Sequence, residues 1–328
     1  MATALNALMS FPHITLASHV TPVDDLQRLR HALGPGCPRL LMKRDDLLSF
    51  ALGGNKVRKL QTVVAEAREA GADVLITCGG VQSNHARITA AAGASLGLHV
   101  TLVLNGPRPE RATGNALLDH LFGADVRYVS SRDLRAPVME EVAAEMRAAG
   151  RRPFIIPLGA STATGVIGFA RGVLELVSAG VKPTTIVHAT SSGGTQAGIL
   201  LGAKLFGLDT QVLGVSADDS AAAIGAIVAG LLREAAARLG ASANTVGADD
   251  AIDVDDRFVG DGYGRPTTAS VEALELVART EGIVLDPVYT AKAMAGLIAR
   301  VRDREFEHDD TLLFWHTGGI PALFAMGQ

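Results

Sequence analysis

Few residues in this chain are of the kinds that staple, anchor or metallate a protein. Among 328 residues there are two cysteines, Cys37 and Cys78. That number excludes a disulfide framework, and the lack of any CxxC or Cys/His cluster at ligand spacing excludes a structural zinc site. Charge of one sign is lacking too: 30 basic and 34 acidic residues, spread along the chain, give a formal charge of −4. A polyphosphate-binding surface therefore has no basis, and nucleic acid is not an expected partner. No lysine or arginine precedes Arg28, so the start lacks the charged region of a secretory signal and the arginine bias of a transit peptide. A cytoplasmic location is the expectation. Long hydrophobic runs are scarce as well. The one candidate, residues 88–107, is broken by Gly93, Gly97 and His99 and reads as a helix followed by the strand HVTLVL, so no membrane partner is expected. There is no internal repeat, low-complexity tail or Pro/Ser-rich linker.

What is plentiful is apolar residues, 48% of the chain, and glycine, 36 residues. Such a chain is globular, of about two domains by length, and able to bury a large core. Glycine recurs where a short apolar run gives way to a longer helical pattern. Strands are expected at residues 40–43, 74–78, 100–104, 126–129, 154–157, 185–189, 212–216 and 312–315, with helices at 57–70, 86–96, 137–149, 195–206 and 291–302. That alternation predicts an α/β protein with parallel sheets covered by helices on both faces. Along 57–70, Val57, Leu60, Val64 and Ala67 share a helical face expected to pack, and Arg58, Lys59, Glu66 and Arg68 fall on the side expected to be wet. The segment 217–258 is alanine-rich and then acidic (Asp249, Asp250, Asp253, Asp255, Asp256), which predicts surface helices and a solvated loop.

Four glycine-containing segments carry polar residues beyond what a turn needs. In GGNKVRKL (53–60) two glycines let the backbone turn tightly, and Lys56 follows in the first turn of the amphipathic helix. The positive end of the helix dipole disfavours a second positive charge there, which pushes the amine toward its neutral, nucleophilic form. CGGVQSNHAR (78–87) joins a strand to a helix at the carboxyl end of a parallel sheet, where α/β proteins bind ligands. Ser83, Asn84 and His85 offer backbone N–H groups at a helix start, suited to a carboxylate, with a hydroxyl, an amide and an imidazole beside them. For the serine alone, N-capping is the plainer reading. SSGGTQAG (191–198) surrounds a phosphate-sized space with the amides of Gly193 and Gly194 and the hydroxyls of Ser192 and Thr195. Without a GK[ST] ending or GxGxxG spacing, it suits a small phosphate monoester better than ATP or NAD. WHTGG (315–319) ends the last strand and brings Thr317 to the same edge, while His316 reads as a satisfied core histidine. Taken together, a lysine at a helix start, a phosphate-sized loop, a carboxylate-sized loop and a strand-end hydroxyl are the parts that pyridoxal 5′-phosphate (PLP) demands.

KRDD (43–46), GGNKVRKL, QSNHAR (82–87), SSGGTQAG, DGYG (261–264), DPVYTAK (286–292) and HTGG (316–319) stand in a familiar order and spacing. Over most of its length the sequence resembles the PLP enzymes of the D-cysteine desulfhydrase and 1-aminocyclopropane-1-carboxylate (ACC) deaminase family. The resemblance implies a two-domain, tryptophan-synthase-β-like α/β fold with open twisted sheets flanked by helices. Residues 1–52 and 166–328 would form the larger domain and 53–165 the smaller inserted one, with PLP between them. By the same resemblance, Lys56 carries the cofactor, Asn84 bonds its ring hydroxyl, Ser192, Gly193, Gly194 and Thr195 hold its phosphate, and Thr317 faces its ring nitrogen. Ser83, with Asn84 and His85, would receive the carboxylate of a small amino-acid substrate, and Tyr263 and Tyr289 would position it or protonate a departing group. A homodimer is implied as well.

A threonine at the ring nitrogen has a chemical consequence. Its hydroxyl can donate to a neutral nitrogen but cannot hold it protonated as an aspartate would. The weaker electron sink disfavours transamination and favours prompt loss of a good β-leaving group such as thiolate. His85 and Thr290 stand where the ACC deaminases carry glutamine and glutamate, which points to the desulfhydrase side: α,β-elimination from D-cysteine to pyruvate, ammonia and sulfide, with Lys56 removing the Cα proton. GAST (159–162) in place of GGSN and the greasy DLLSFALGG (46–54) depart from the family pattern. They keep L-cysteate, another β-substituted alanine or an unfamiliar thiol open as substrates, and ACC deaminase stays an alternative activity. Outside enzymology the alternative is a PLP or amino-acid binding protein. GASLG (93–97), with Asp286 and His316 following, has the chain order of a serine hydrolase, but Ser95 ends a helical pattern instead of following a strand, so Gly97 reads as a C-cap.

Overall fold

The computed structural model describes residues 2–247 and 250–326, so Asp249 of the acidic stretch lies outside the described residues. The chain opens with α1 (Ala2–Ser10), β1 (Val23–Asp25), α2 (Gln27–Leu33) and β2 (Arg39–Arg44). It continues with α3 (Lys56–Glu69), β3 (Val74–Gly80), α4 (Asn84–Leu96), β4 (His99–Asn105), α5 (Gly114–Leu121), β5 (Asp125–Val129), α6 (Arg135–Ala148) and β6 (Pro153–Ile156). The last part comprises α7 (Ala163–Ser178), β7 (Thr185–Thr190), α8 (Gly194–Phe206), β8 (Gln211–Ser216), α9 (Ala221–Arg238), β9 (Val254–Asp255), α10 (Thr268–Glu281), α11 (Thr290–Arg302) and β10 (Thr311–His316). Each strand and helix expected from glycine punctuation forms, with ends displaced by a residue or two.

The strands make two sheets. One has six strands in the order β1-β2-β10-β7-β8-β9, and the other has four in the order β5-β4-β3-β6. All pairings are parallel except that of β1 with β2, a short antiparallel edge the sequence pattern did not announce. Alternate residues of β10 serve opposite faces. Leu312 and Phe314 join Met42, Val187, Leu213, Met294 and Leu297 under α11, whereas Leu313 and Trp315 join Ile186, Phe169, Val173 and Ile199 under α7 and α8. In the smaller sheet Leu75 and Leu102 face Val57, Leu60 and Ile88, while Ile76 and Val103 face Met139 and Val142 of α6. Burial on both faces is why these strands read as short continuous apolar runs.

Three expectations need correction. Arg58 and Lys59 of α3 are buried, not wet. Arg58 pairs with Asp45 (2.7 Å) and Glu175 (2.7 Å), and Lys59 reaches under the loop after β6; buried partners, invisible to a helical wheel, override the polar-side assignment. Likewise α9 is half core, with Ile224, Val228, Leu232 and Ala235 buried. Finally, Asp255 is buried in β9 between Arg257 (2.7 Å) and Arg300 (3.1 Å) instead of lying in a solvated loop.

Candidate active site

The loops at the carboxyl ends of the two sheets meet, and the local sequence explains how closely. Gly53 (φ +70°) and Gly54 (φ +108°) turn the chain into α3, whose first residue is Lys56. A Cβ on Gly318 would lie 2.6 Å from Gly54 Cα, so only glycine allows the end of β10 to rest on this turn. The Asn55 N–H donates to Thr317 O (3.0 Å), which fixes the strand-end threonine beside the lysine. Lys56 lines the resulting cavity, and its amine is lowered from 10.5 to about 8. Burial is the largest cause; a hydrogen bond with Lys59 opposes it. The amine is thus poised as expected, but desolvation does more than the helix dipole invoked from sequence.

Ser83 caps α4 by accepting the Ala86 N–H (3.2 Å), as the plainer reading held, and it also lines the cavity with Asn84 and His85. The state of His85 follows from its neighbours. Thr77 Oγ1 spends its one hydrogen on Ile156 O (2.7 Å), so at 2.7 Å it must accept from His85 Nε2–H. His85 Nδ1 is left as a buried lone pair without a partner. Burial, then the charges of Lys56 and Lys59, push its pKa well below the usual histidine range, so the ring is neutral.

Ser192, Gly193 and Thr195 line the opposite wall; Gly194 does not, because it is tucked into the first turn of α8. The cap position of α8 is Gly193, which has no side chain of its own, and Ser161 Oγ accepts the Gly194 N–H (3.3 Å). Beside that turn lies Lys59 Nζ, 2.8 Å from where a Cβ on Gly194 would be. The amine donates to Gly159 O (3.1 Å) and Ser161 Oγ (3.3 Å), stands beside the Lys56 amine, and among the described residues meets no carboxylate. Burial, then Lys56, depress its pKa well below the usual value. The charged form of this amine is disfavoured for want of a counter-charge, and a phosphate bound at the adjoining helix N-terminus would supply one. On this chemistry the residues fit PLP. Asn55, whose Nδ2 donates to Thr195 Oγ1 (2.8 Å), and Ser161, whose hydroxyl donates to Ser192 Oγ (2.8 Å), complete the loop. The GAST departure therefore borders the glycine loop.

Tyr263 and Tyr289 also line the cavity, their hydroxyls 2.6 Å apart. Both phenols are raised, by burial first, and Tyr289 lies well above its usual value. Asp286 shapes the turn beneath them by accepting from the N–H groups of Val288 (3.0 Å), Tyr289 (3.0 Å) and Thr290 (2.7 Å). Thr290 is buried, with its hydroxyl on Asp286 Oδ1 (2.8 Å). His316 is the satisfied core histidine expected, with Nε2–H on Val284 O (3.0 Å) and Nδ1 accepting from Gly318 N (3.2 Å). Ser95 sits in the last turn of α4 ahead of a left-handed Gly97, which removes the hydrolase reading.

The cavity thus gathers every site residue named from sequence except Gly194. It adds Asn55, Asn105, Arg132, Arg135 and Asp218, which sequence reasoning missed, and Lys59 stands just behind it. Lys59 was within reach, since it follows Lys56 by three positions and so shares its helix face. Arg132, in the short turn before α6, and Arg135, the first residue of that helix, had no motif to mark them.

A depressed lysine amine beside an anion pocket is what PLP chemistry requires, and comparison with known sequences agrees: residues 14–318 match the pyridoxal-phosphate dependent enzymes, and the chain belongs to that family. Within it, the D-cysteine desulfhydrases of Salmonella typhi and Salmonella choleraesuis are each 40% identical to this chain over 329 residues, covering 98% of both partners. A crystal structure of an ACC deaminase homologue superposes with a TM-score of 0.91 at 35% identity, covering 100% of this chain and 98% of that one. A PLP-dependent aspartate racemase (TM-score 0.70, 16% identity, 97% of this chain and 95% of that one) shares the fold alone.

Proposed function

We propose that the protein is a carbon–sulfur lyase that converts a cysteine-like amino acid, foremost D-cysteine, to pyruvate, ammonia and sulfide. The observation that carries this reading is the hydrogen-bonded Tyr263–Tyr289 pair lining the same cavity as Lys56. Identity to D-cysteine desulfhydrases along 98% of the chain supports the same substrate. Ser192, Gly193 and Thr195, with Asn55 and Lys59, would hold the cofactor's phosphate, Asn84 its ring oxygen and Thr317 its ring nitrogen. Bound PLP supplies an electron sink for the pair left at the substrate's Cα. Lys56 Nζ accepts the Cα proton. Ser83 and the backbone N–H groups at the start of α4, that of His85 among them, hold the carboxylate, and the neutral His85 ring adds no charge. As the Cβ–S bond breaks, its electron pair leaves with sulfur, the Cα pair becomes the Cα=Cβ bond, and a tyrosine hydroxyl protonates the thiolate. The released 2-aminoacrylate then takes up water to give pyruvate and ammonia.

In this reading the four-stranded sheet and its helices, within residues 53–165, are the smaller domain and the rest of the chain the larger. The protein works in the cytoplasm as a homodimer. No helix among the described residues is long and apolar enough to cross a membrane. Exposed Leu121 and Phe324, on segments that pack together, give a second copy an apolar surface to cover. A keto-acid assay across D-cysteine, L-cysteine, β-chloro-D-alanine, L-cysteate and ACC tests the reaction. Pyruvate from D-cysteine as the fastest product is expected; 2-oxobutanoate from ACC as the fastest would reassign the enzyme.

A further inference from the structure

We infer that Asn115, a residue of α5 outside every motif of the cavity, is a positioning residue that decides which end of the Asn84 amide the cavity receives. The inference rests on the proposed contact between Asn84 and the cofactor's ring oxygen. An amide has a donor end and an acceptor end, and only its partners decide how it lies. Here they leave no choice. Asn115 is fully buried, and its Nδ2 donates to Gln82 O (2.8 Å), a carbonyl that can only accept. Its Oδ1 accepts from Arg87 Nη1 (3.0 Å), which can only donate. Both ends of Asn115 are thereby fixed. The remaining hydrogen on Asn115 Nδ2 points at Asn84 (2.9 Å), and Arg87 Nη1 reaches the same Asn84 atom at 3.4 Å. An atom receiving from a fixed amide and a guanidinium is an oxygen.

Asn84 Oδ1 is therefore held toward α5, and Nδ2 is the end left for the cavity that Asn84 lines; no described residue accepts from it. The clamp is itself anchored. The Asn115 N–H donates to Gln82 Oε1 (2.8 Å), and Arg87 Nη2 donates to Gly53 O (2.7 Å) at the head of the lysine turn. One buried guanidinium thus ties the segment that carries Lys56 to the residue that would meet the cofactor ring. A donor presented to an electron-rich ring oxygen stabilises it, and an acceptor in its place would repel it. Asn115, which touches neither cofactor nor substrate, sets which of the two is offered.

The test compares the PLP-loaded parent with Asn84→Ala, Asn115→Asp, Asn115→Ala and the Asn84→Ala/Asn115→Asp double variant, reading the visible cofactor band against pH together with the melting temperature. Asn115→Asp keeps size and the acceptor for Arg87 but replaces the donor with an oxygen, which turns the Asn84 amide over. The expected result is that the band's titration midpoint moves the same way in Asn84→Ala and Asn115→Asp, by about one pH unit, the worth of one hydrogen bond. The double variant should move no further. Asn115→Ala should shift the midpoint in that direction by less, and it supplies the reading if the aspartate variant does not fold. A midpoint unmoved at position 115, with only the melting temperature lowered, overturns the inference while the Asn84 contact stands. A midpoint unmoved in Asn84→Ala overturns the contact, and the inference with it.

Discussion

At the scale of single residues the site depends on which groups are held neutral. Lys56 is brought to about 8 by burial, so free amine accumulates far below the 10.5 of an exposed lysine. Because only the unprotonated amine attacks an aldehyde, the rate of PLP uptake by cofactor-free protein should rise with pH and level off above about 8. A rise still unfinished near pH 10 would contradict the depressed amine, and Lys56→Ala should not take up the label in borohydride trapping at all. The tyrosine pair works in the opposite sense. Both phenols are raised and so remain protonated at neutrality, able to donate to sulfur. Tyr289→Phe should lower kcat by about 100-fold or more with a smaller change in KM, the usual share of a general acid. Most of these residues were legible in the sequence because each sits in a strand-to-helix turn whose glycines mark it. Arg58 and Lys59 were read as wet, because a helical wheel ranks residues by polarity and cannot see that Asp45, Glu175 and the Gly159 carbonyl await them inside; only the three-residue spacing from Lys56 hinted at Lys59.

At the scale of elements, two buried charge systems brace the lysine helix and its neighbours, and their pH signatures have opposite sign. In the first, Arg58 of α3 joins Asp45 and Glu175 of α7, with Thr21 donating to Asp45 (2.9 Å). Burial works against the Asp45 carboxylate, but the Arg58 guanidinium outweighs it and its pKa ends below 3.8. Stability from this group is present above the unfolded value and is lost as pH falls through the folded one. Asp45→Ala leaves a buried arginine half-paired and should cost about 3–5 kcal/mol in denaturant unfolding at neutral pH. The second system is Asp119 of α5, fully buried with both oxygens unpartnered and raised from 3.8 to about 8 by burial, against the pull of Arg87. Here the unfolded chain ionises first, so this group costs stability progressively as pH climbs from about 4 to 8. Asp119→Asn should flatten that part of the stability profile, and an unchanged slope between those limits would show that the carboxyl is already ionised. Elements bounded by glycine were legible before the structure. The short strands β1 and β9 were not, since three and two residues carry no periodicity, and the buried face of α9 was hidden by alanine, which fits core and surface alike.

For the whole molecule, the decisive feature is that neither sheet owns the cavity. Lys56, Ser83, Asn84 and Asn105 come from the helices and strand ends of the four-stranded sheet, and Thr190, Ser192, Thr195 and Thr317 come from the six-stranded one. Contact between the two sides is partly bare backbone, as at Gly54 and Gly318, and partly side-chain bonds such as those from Asn55 to Thr195, Ser161 to Ser192 and Arg58 to Glu175. A group seated in the cavity touches both sides at once and therefore resists their separation. It also gives Lys59 the counter-charge that the buried amine beside α8 otherwise lacks. Both effects belong to the folded state alone, so cofactor binding must raise stability by mass action. PLP-loaded protein should melt well above cofactor-free protein, with the gap growing with PLP concentration, about 2.7 kcal/mol at a hundredfold excess over Kd. Lys59→Met removes the unpaired buried amine and should narrow that gap from below, raising the cofactor-free melting point while weakening PLP retention. If instead the cofactor-free form of Lys59→Met melts no higher than the cofactor-free parent, the amine is already satisfied by Gly159 and Ser161, and the glycine loop must draw its affinity for phosphate from the α8 N-terminus alone.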